Sequence, residues 1–129
     1  MTRVILLVLL AVVSRSAMAE WVNLGENEIF TAYANPDTIR RSGDKVEMAS
    51  MINYNAPLKV ETGKPFKSIM VRNEYDCKNK QYQQRSLVAF SERMGAGQTI
   101  YSDSSFRQLS RVVPDTIEEK FFDYACGKK

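Results

Sequence analysis

Two cysteines, Cys77 and Cys126, stand behind an N-terminal stretch that reads as an export signal, and together these features constrain the fold more than anything else in the chain. In MTRVILLVLLAVVSRSAMAE, Arg3 supplies a positive start, Val4 to Val13 is an unbroken apolar run, and Ala17-Met18-Ala19 places small residues where a signal peptidase reads. Residues 1–19 are expected to be removed, leaving Glu20 first. Ten apolar residues reach about 15 Å as a helix against the roughly 30 Å of a bilayer core, so no permanent anchor is expected. Glu20 also stands where a lipoprotein would carry its acylated cysteine, so a lipoprotein is not expected either. In an oxidising compartment an even cysteine count points to a disulfide, and two cysteines allow one intramolecular pairing. Closing a loop from position 77 to position 126 removes about 4 kcal/mol of unfolded-chain freedom on the chain-entropy account. For one small domain over residues 20–129 that is a large share of stability.

Composition narrows the chemistry. Losing Arg3 and Arg15 lowers the formal net charge of +3 by two, to +1. A nearly neutral domain lacks the basic footprint of a nucleic-acid binder. Histidine is absent, so no Cys-His nucleophile forms, and no C-x-x-C or His cluster offers a transition-metal site. Glu74 with Asp76, and Glu118 with Glu119, are the carboxylate pairs available for acid-base work. They have no accompanying nucleophile, metal set or phosphate loop, so the chain is read as a non-enzyme with no cofactor. Gly95-Ala96-Gly97 is a turn rather than a nucleotide fingerprint. Asp76 suits a hydrogen bond into the turn after it, and Glu118 or Glu119 suits a helix cap.

Period-two alternation dominates the middle of the chain. EIFTAY (Glu28 to Tyr33) is β-branched and aromatic, and NPDTIRRSGDK (Asn35 to Lys45) carries turn chemistry. In KVEMASMINYN, Val46, Met48, Ser50, Ile52 and Tyr54 share one face, read as inward, and Glu47, Ala49, Met51 and Asn53 the other, the pattern of a half-buried strand. Asn55 to Lys67, with Pro57, Gly63 and Pro65, reads as a long connection. SIMVRNEYDC alternates again and puts Cys77 on the face of Ile69, Val71, Asn73 and Tyr75. A polar turn (Cys77 to Gln81) leads into YQQRSLVAFSE, with Tyr82, Val88 and Phe90 in phase. MGAGQ then turns the chain into TIYSD. Short connections favour antiparallel neighbours.

The C-terminal PDTIEEKFFDYAC is helical. Either Asp115 with Glu118 or Thr116 with Glu119 forms a capping pair, and Ile117, Phe121, Tyr124 and Ala125 make an apolar face. Phe122 cannot share that face; it either packs on another element or lies exposed as a contact point. Ser104 to Val113 fits a helical turn or an extended link equally. The whole predicts an α+β domain: an antiparallel meander of about five or six strands, with the C-terminal helix packed on it and tied by the disulfide.

The mature chain resembles the surface-adhesin protein E family. The likeness rests on an early Trp21, AYANPDTIRRSG, the INYN strand end, EYDC, and a Pro-x-Thr helix start that closes on a cysteine. The resemblance implies a sheet with a helix and disulfide upon it, and a bacterial exported protein that attaches to host matrix proteins such as laminin and vitronectin. An alternative is a soluble periplasmic accessory or envelope protein with no host ligand. For a binding module the candidate contacts are two basic clusters, Lys59, Lys64 and Lys67 in the long connection and Lys78, Lys80 and Arg85 around the polar turn, facing acidic protein patches or sulfated glycans. Exposed edge strands offer a second route.

Overall fold

In a computed structural model of the chain, residues 20–59 and 63–127 are described, and the expected signal segment lies outside them. Six strands neighbour one another in the order they occur: β1 (Val22–Glu26), β2 (Phe30–Ser42), β3 (Lys45–Lys59), β4 (Pro65–Asp76), β5 (Gln81–Phe90) and β6 (Thr99–Asp103). All pairings are antiparallel. A two-residue β7 (Ser110–Arg111) pairs with Gln81 and Tyr82, while β6 pairs with Leu87 to Phe90, so the two share the outer edge of β5. The single α-helix among the described residues, α1 (Ile117–Cys126), lies on one face. The expected α+β meander is what forms.

Several elements differ from their sequence reading for identifiable reasons. The segment read as turn from Asn35 to Lys45 is mostly strand, and the register slips between Asn35 and Arg40. Side chains close that gap: Asn35 Oδ1 accepts from Asp37 N, and Thr38 Oγ1 accepts from Ala49 N at 2.9 Å and donates to Asn35 O. Turn-type residues thus build a bulge inside a strand. The long connection from Asn55 to Lys67 is largely ladder as well, with Leu58 opposite Phe66 and Lys59 opposite Pro65. Strand β1 was not foreseen. It is five residues long and slips register between Asn23 and Gly25, which hides its period.

β5 breaks phase for a similar reason. A bulge between its partners Arg72 and Asn73 leaves Tyr82 opposite Tyr75 but puts Val88 opposite Met70 and Phe90 opposite Ser68. Tyr82 therefore faces the helix and Val88 and Phe90 face the other side, although all three occupy even positions.

Helix α1 starts at Thr116, whose Oγ1 accepts from Glu119 N, while Glu119 Oε1 accepts from Asp115 N; this selects the Thr116–Glu119 pair as the cap. It ends at Gly127, in the left-handed region at φ 80°. Its buried residues are Phe121, Phe122 and Ala125. Phe122 is 0% exposed and meets Tyr75 edge to face at 6.2 Å. Of the two alternatives for Phe122, packing holds. Ala32 and Ala34 beneath the helix are small enough to admit these rings, and Val46, Met48 and Tyr75 complete the core. Ser104 to Val113 resolves as an extended link containing β7.

The opposite face of β3 was expected to be solvated, but Ala49, Met51 and Asn53 are buried. The β5–β6 loop folds back over it through a 3-10 turn, Arg93–Gly95. Met94 N donates to Asn53 Oδ1 at 2.7 Å, Gly95 N donates to Ser68 Oγ, and Ser68 Oγ donates to Glu92 O at 2.7 Å. Gly95 sits at φ 71°, which favours glycine, and a Cβ there would lie 3.2 Å from Met51 Cε, a close approach to the end of that side chain.

Candidate interaction surface

The two predicted basic clusters stand at opposite ends of the sheet. Lys59 and Lys64 flank the β3–β4 connection at the start of β4, and Lys78 and Lys80 occupy the turn after its last residue, Asp76. Twelve strand residues separate the two ends, a span of roughly 36 Å at the ordinary strand rise. They cannot form one patch. Lys67 is ion-paired with Glu92 at 3.4 Å. Arg85 is held on both sides, with Glu74 Oε2 at 3.3 Å and the Phe106 ring 4.0 Å from its guanidinium carbon. Arg85 therefore belongs to a local packing unit on β5 rather than to the turn.

The turn end is tied by several bonds. Asp76 Oδ1 accepts from Lys78 N and Asn79 N, and its Oδ2 accepts from Asn79 Nδ2 at 2.9 Å. The Asn79 side chain, then its amide, hold the Asp76 carboxyl below the usual carboxylate range, and the nearby Lys45 adds to this. Cys77 N donates to Asp44 O, joining the β4–β5 turn to the β2–β3 turn. The Cys77–Cys126 disulfide, with Cα atoms 5.8 Å apart, brings in the last turn of α1, where Arg41 Nη2 reaches Cys126 O at 3.4 Å. The β4–β5 turn, the β2–β3 turn, the end of β2 and the last turn of α1 thus converge on the disulfide end.

The sheet adds cations that the sequence reading did not select. The register runs Lys45, Asp76, Gln81, Arg111 across β3, β4, β5 and β7. Directly opposed residues share a face, so Lys45 and Arg111 lie on the loop-capped side, three strand spacings or about 14 Å apart. Lys45, Lys78, Lys80 and Arg111 are all exposed, and no carboxylate among the described residues ion-pairs with any of them. Neither Lys45 nor Arg111 carries a local motif. Only strand register brings them beside Lys78 and Lys80.

The sequence profile of the Surface-adhesin protein E family matches residues 21–127, nearly all of the described chain. The chain belongs to the surface-adhesin protein E family. The protein E fold agrees with solved structures. A crystal form of Haemophilus influenzae protein E superposes with a TM-score of 0.68 at 16% identity, over 87% of this chain and 91% of that one. Protein E from non-typeable Haemophilus influenzae superposes with a TM-score of 0.63 at 16% identity, over 88% and 79%. No curated protein is matched by sequence. At such identity the superpositions carry the protein E fold, and the profile carries membership of a family of adhesins that act at host surfaces.

Proposed function

We propose that the protein attaches to anionic host-matrix components, meaning laminin, vitronectin or sulfated glycans, through the cationic disulfide end of the sheet. The observation that carries this reading is the set Lys45, Lys78, Lys80 and Arg111, exposed and in no ion pair among the described residues, with Lys78 and Lys80 on the turn that the disulfide ties down and Lys45 and Arg111 on the strands beside it. A tied-down mount reduces the entropy lost on contact, so weak individual charges add usefully. Lys59 and Lys64 at the other end form at most a separate contact. Export with removal of residues 1–19, without acylation, belongs to the same reading. So does a binding rather than catalytic role: Asp76 is consumed by its turn and Glu74 by Arg85, which leaves neither carboxylate placed for acid-base work.

The test is retention of the purified protein on immobilised laminin, vitronectin and heparin over a salt series. Charge-led contact weakens as the screening length falls from about 10 Å at 0.1 M to about 3 Å at 1 M. Joint replacement Lys45→Gln, Lys78→Gln and Lys80→Gln is expected to abolish retention with the fold intact, while Lys59→Gln with Lys64→Gln leaves most of it. Salt-insensitive retention that survives the first set removes the cationic end from the reading.

A further inference from the structure

Helix α1 covers β2 to β4 near the disulfide and leaves a groove on its β5 side, about 160 Å³ in volume. Its walls are Ile52 opposite Ile69 and Val71 opposite Leu87, half-buried apolar residues on adjoining rungs of three strands. Phe121 closes the helix side. Polar groups of Ser50, Asn73, Tyr82, Gln84 and Glu118 share the lining with these apolar walls. Asn73, 6% exposed, donates from Nδ2 to the Tyr75 hydroxyl at 3.3 Å, and its Oδ1 has no partner. A buried acceptor left so costs about 1–3 kcal/mol. Glu118, half-buried on the first turn of α1, has no cation among the described residues within ion-pair distance. Burial pushes the Tyr75 and Tyr82 phenols up, and the nearby Glu118 charge adds to this. The helix N-terminus stabilises the Glu118 charge but supplies no donor for Asn73.

An orphan acceptor and a carboxylate without an ion pair, lining one groove together with a stretch of apolar wall, ask for a ligand with an aliphatic stem and a cationic donor at its end. We propose that this groove receives one lysine or arginine side chain of a partner protein, its stem against Ile52, Ile69, Val71 and Leu87 and its head group donating to Glu118 and to Asn73 Oδ1. Such a stem buries apolar area while its charge is compensated, which is how long basic side chains usually pack. The partner's being a host protein rests on the adhesin reading; the groove's chemistry does not.

The test is a titration of isotope-labelled protein with a five-residue Gly-Gly-Lys-Gly-Gly peptide and its arginine and norleucine counterparts, followed through the Asn73 side-chain amide and the amides of Val71, Leu87 and Glu118. The basic peptides are expected to shift these signals and norleucine to bind about tenfold more weakly, since a hydrogen bond to a charged group contributes about 1.5–3 kcal/mol. Glu118→Gln should reduce that preference, leaving only the Asn73 acceptor to sustain it. Asn73→Leu should weaken the basic peptides while leaving thermal stability unchanged or raised, which distinguishes lost recognition from lost folding. Equal binding of all three peptides, an unchanged preference in Glu118→Gln, or no shift in the groove overturns the proposal. So does binding of butylamine without binding of the lysine peptide, which would make this a small-amine site. Retention on matrix proteins is read separately: losing it while the lysine peptide still binds sinks the adhesin reading and spares the groove.

Discussion

The helix-covered face and the loop-capped face of the sheet bury comparable side chains by different means. Beneath the helix, Phe122 and Tyr75 are wholly enclosed and meet edge to face, and a disulfide ties the covering element to β4. Beneath the loop, Met51 is 1% exposed, but what holds its cover down is polar: Asn53 and Ser68 lend an acceptor and a hydroxyl to the backbone of residues 92–95. A helix satisfies its own backbone and so covers apolar rings directly, whereas a loop must have its amides and carbonyls satisfied from below. The difference teaches where stability resides. Failure under the helix should be global, and failure under the loop should be local.

The sharpest way to break that comparison is Phe122→Ala, which leaves a cavity at the helix-face core and is expected to cost about 3–5 kcal/mol in denaturant unfolding. A loss below about 1 kcal/mol would show that the helix does not dominate that core. Next comes Cys126→Ser, expected to cost about 2–5 kcal/mol by equilibrium unfolding. Peptide mapping of the native protein should recover Cys77 linked to Cys126; two free thiols would remove the covalent half of the contrast.

Alkaline titration sharpens the same face. Burial, opposed by hydrogen bonds from Asn73 and Ser50, pushes the Tyr75 phenol up from 10.0 to about 12. Below about pH 10 the phenol is neutral in both folded and unfolded chains and the native state keeps its full stability. Between there and about 12 only the unfolded chain ionises readily, so stability falls by roughly 2–3 kcal/mol as pH rises through that window. Phenolate absorbance should show Tyr75 ionising last, together with unfolding. Simple ionisation of all six tyrosines near the free value, with the fold intact, would mean that the helix does not seal the ring.

The smallest expected effect is on the other face. Ser68→Ala strands Glu92 O and Gly95 N and is expected to cost about 1–3 kcal/mol. Hydrogen exchange should speed up across residues 91–98 while β2 to β4 stay protected. Uniform acceleration over the sheet would erase the distinction between the faces.

Much of the fold was legible because a strand's period and a helix's cap are local. KVEMASMINYN announces β3, Thr116 and Glu119 announce the start of α1, and two cysteines in an exported chain announce their bond. The pattern became misleading wherever side chains repaired the backbone. Thr38 restores the ladder across a bulge, and the slip opposite Arg72 and Asn73 reverses the faces of Tyr82 and Val88. The candidate surface was legible in half. Lys78 and Lys80 stand out in a polar turn, but Lys45 and Arg111 join them only through strand pairing, and Arg85 leaves the set because Glu74 and Phe106 claim it.

The sequence by itself determined the export signal as an expectation, the alternating strands, the capped helix, the single possible disulfide and the likeness to a family of adhesins. These rest on near neighbours along the chain or on composition. Tertiary structure alone decided that a loop buries the second face of β3, that the two basic clusters lie roughly a strand's length apart, and that Asn73 and Glu118 meet in one groove. Each of these depends on which residues oppose one another across the sheet and on where the disulfide and core pin the helix. A one-residue slip in register redirects every side chain beyond it. No local pattern records the sum of such slips, so the placement of charge and cavity on this surface emerges only when the strands have paired.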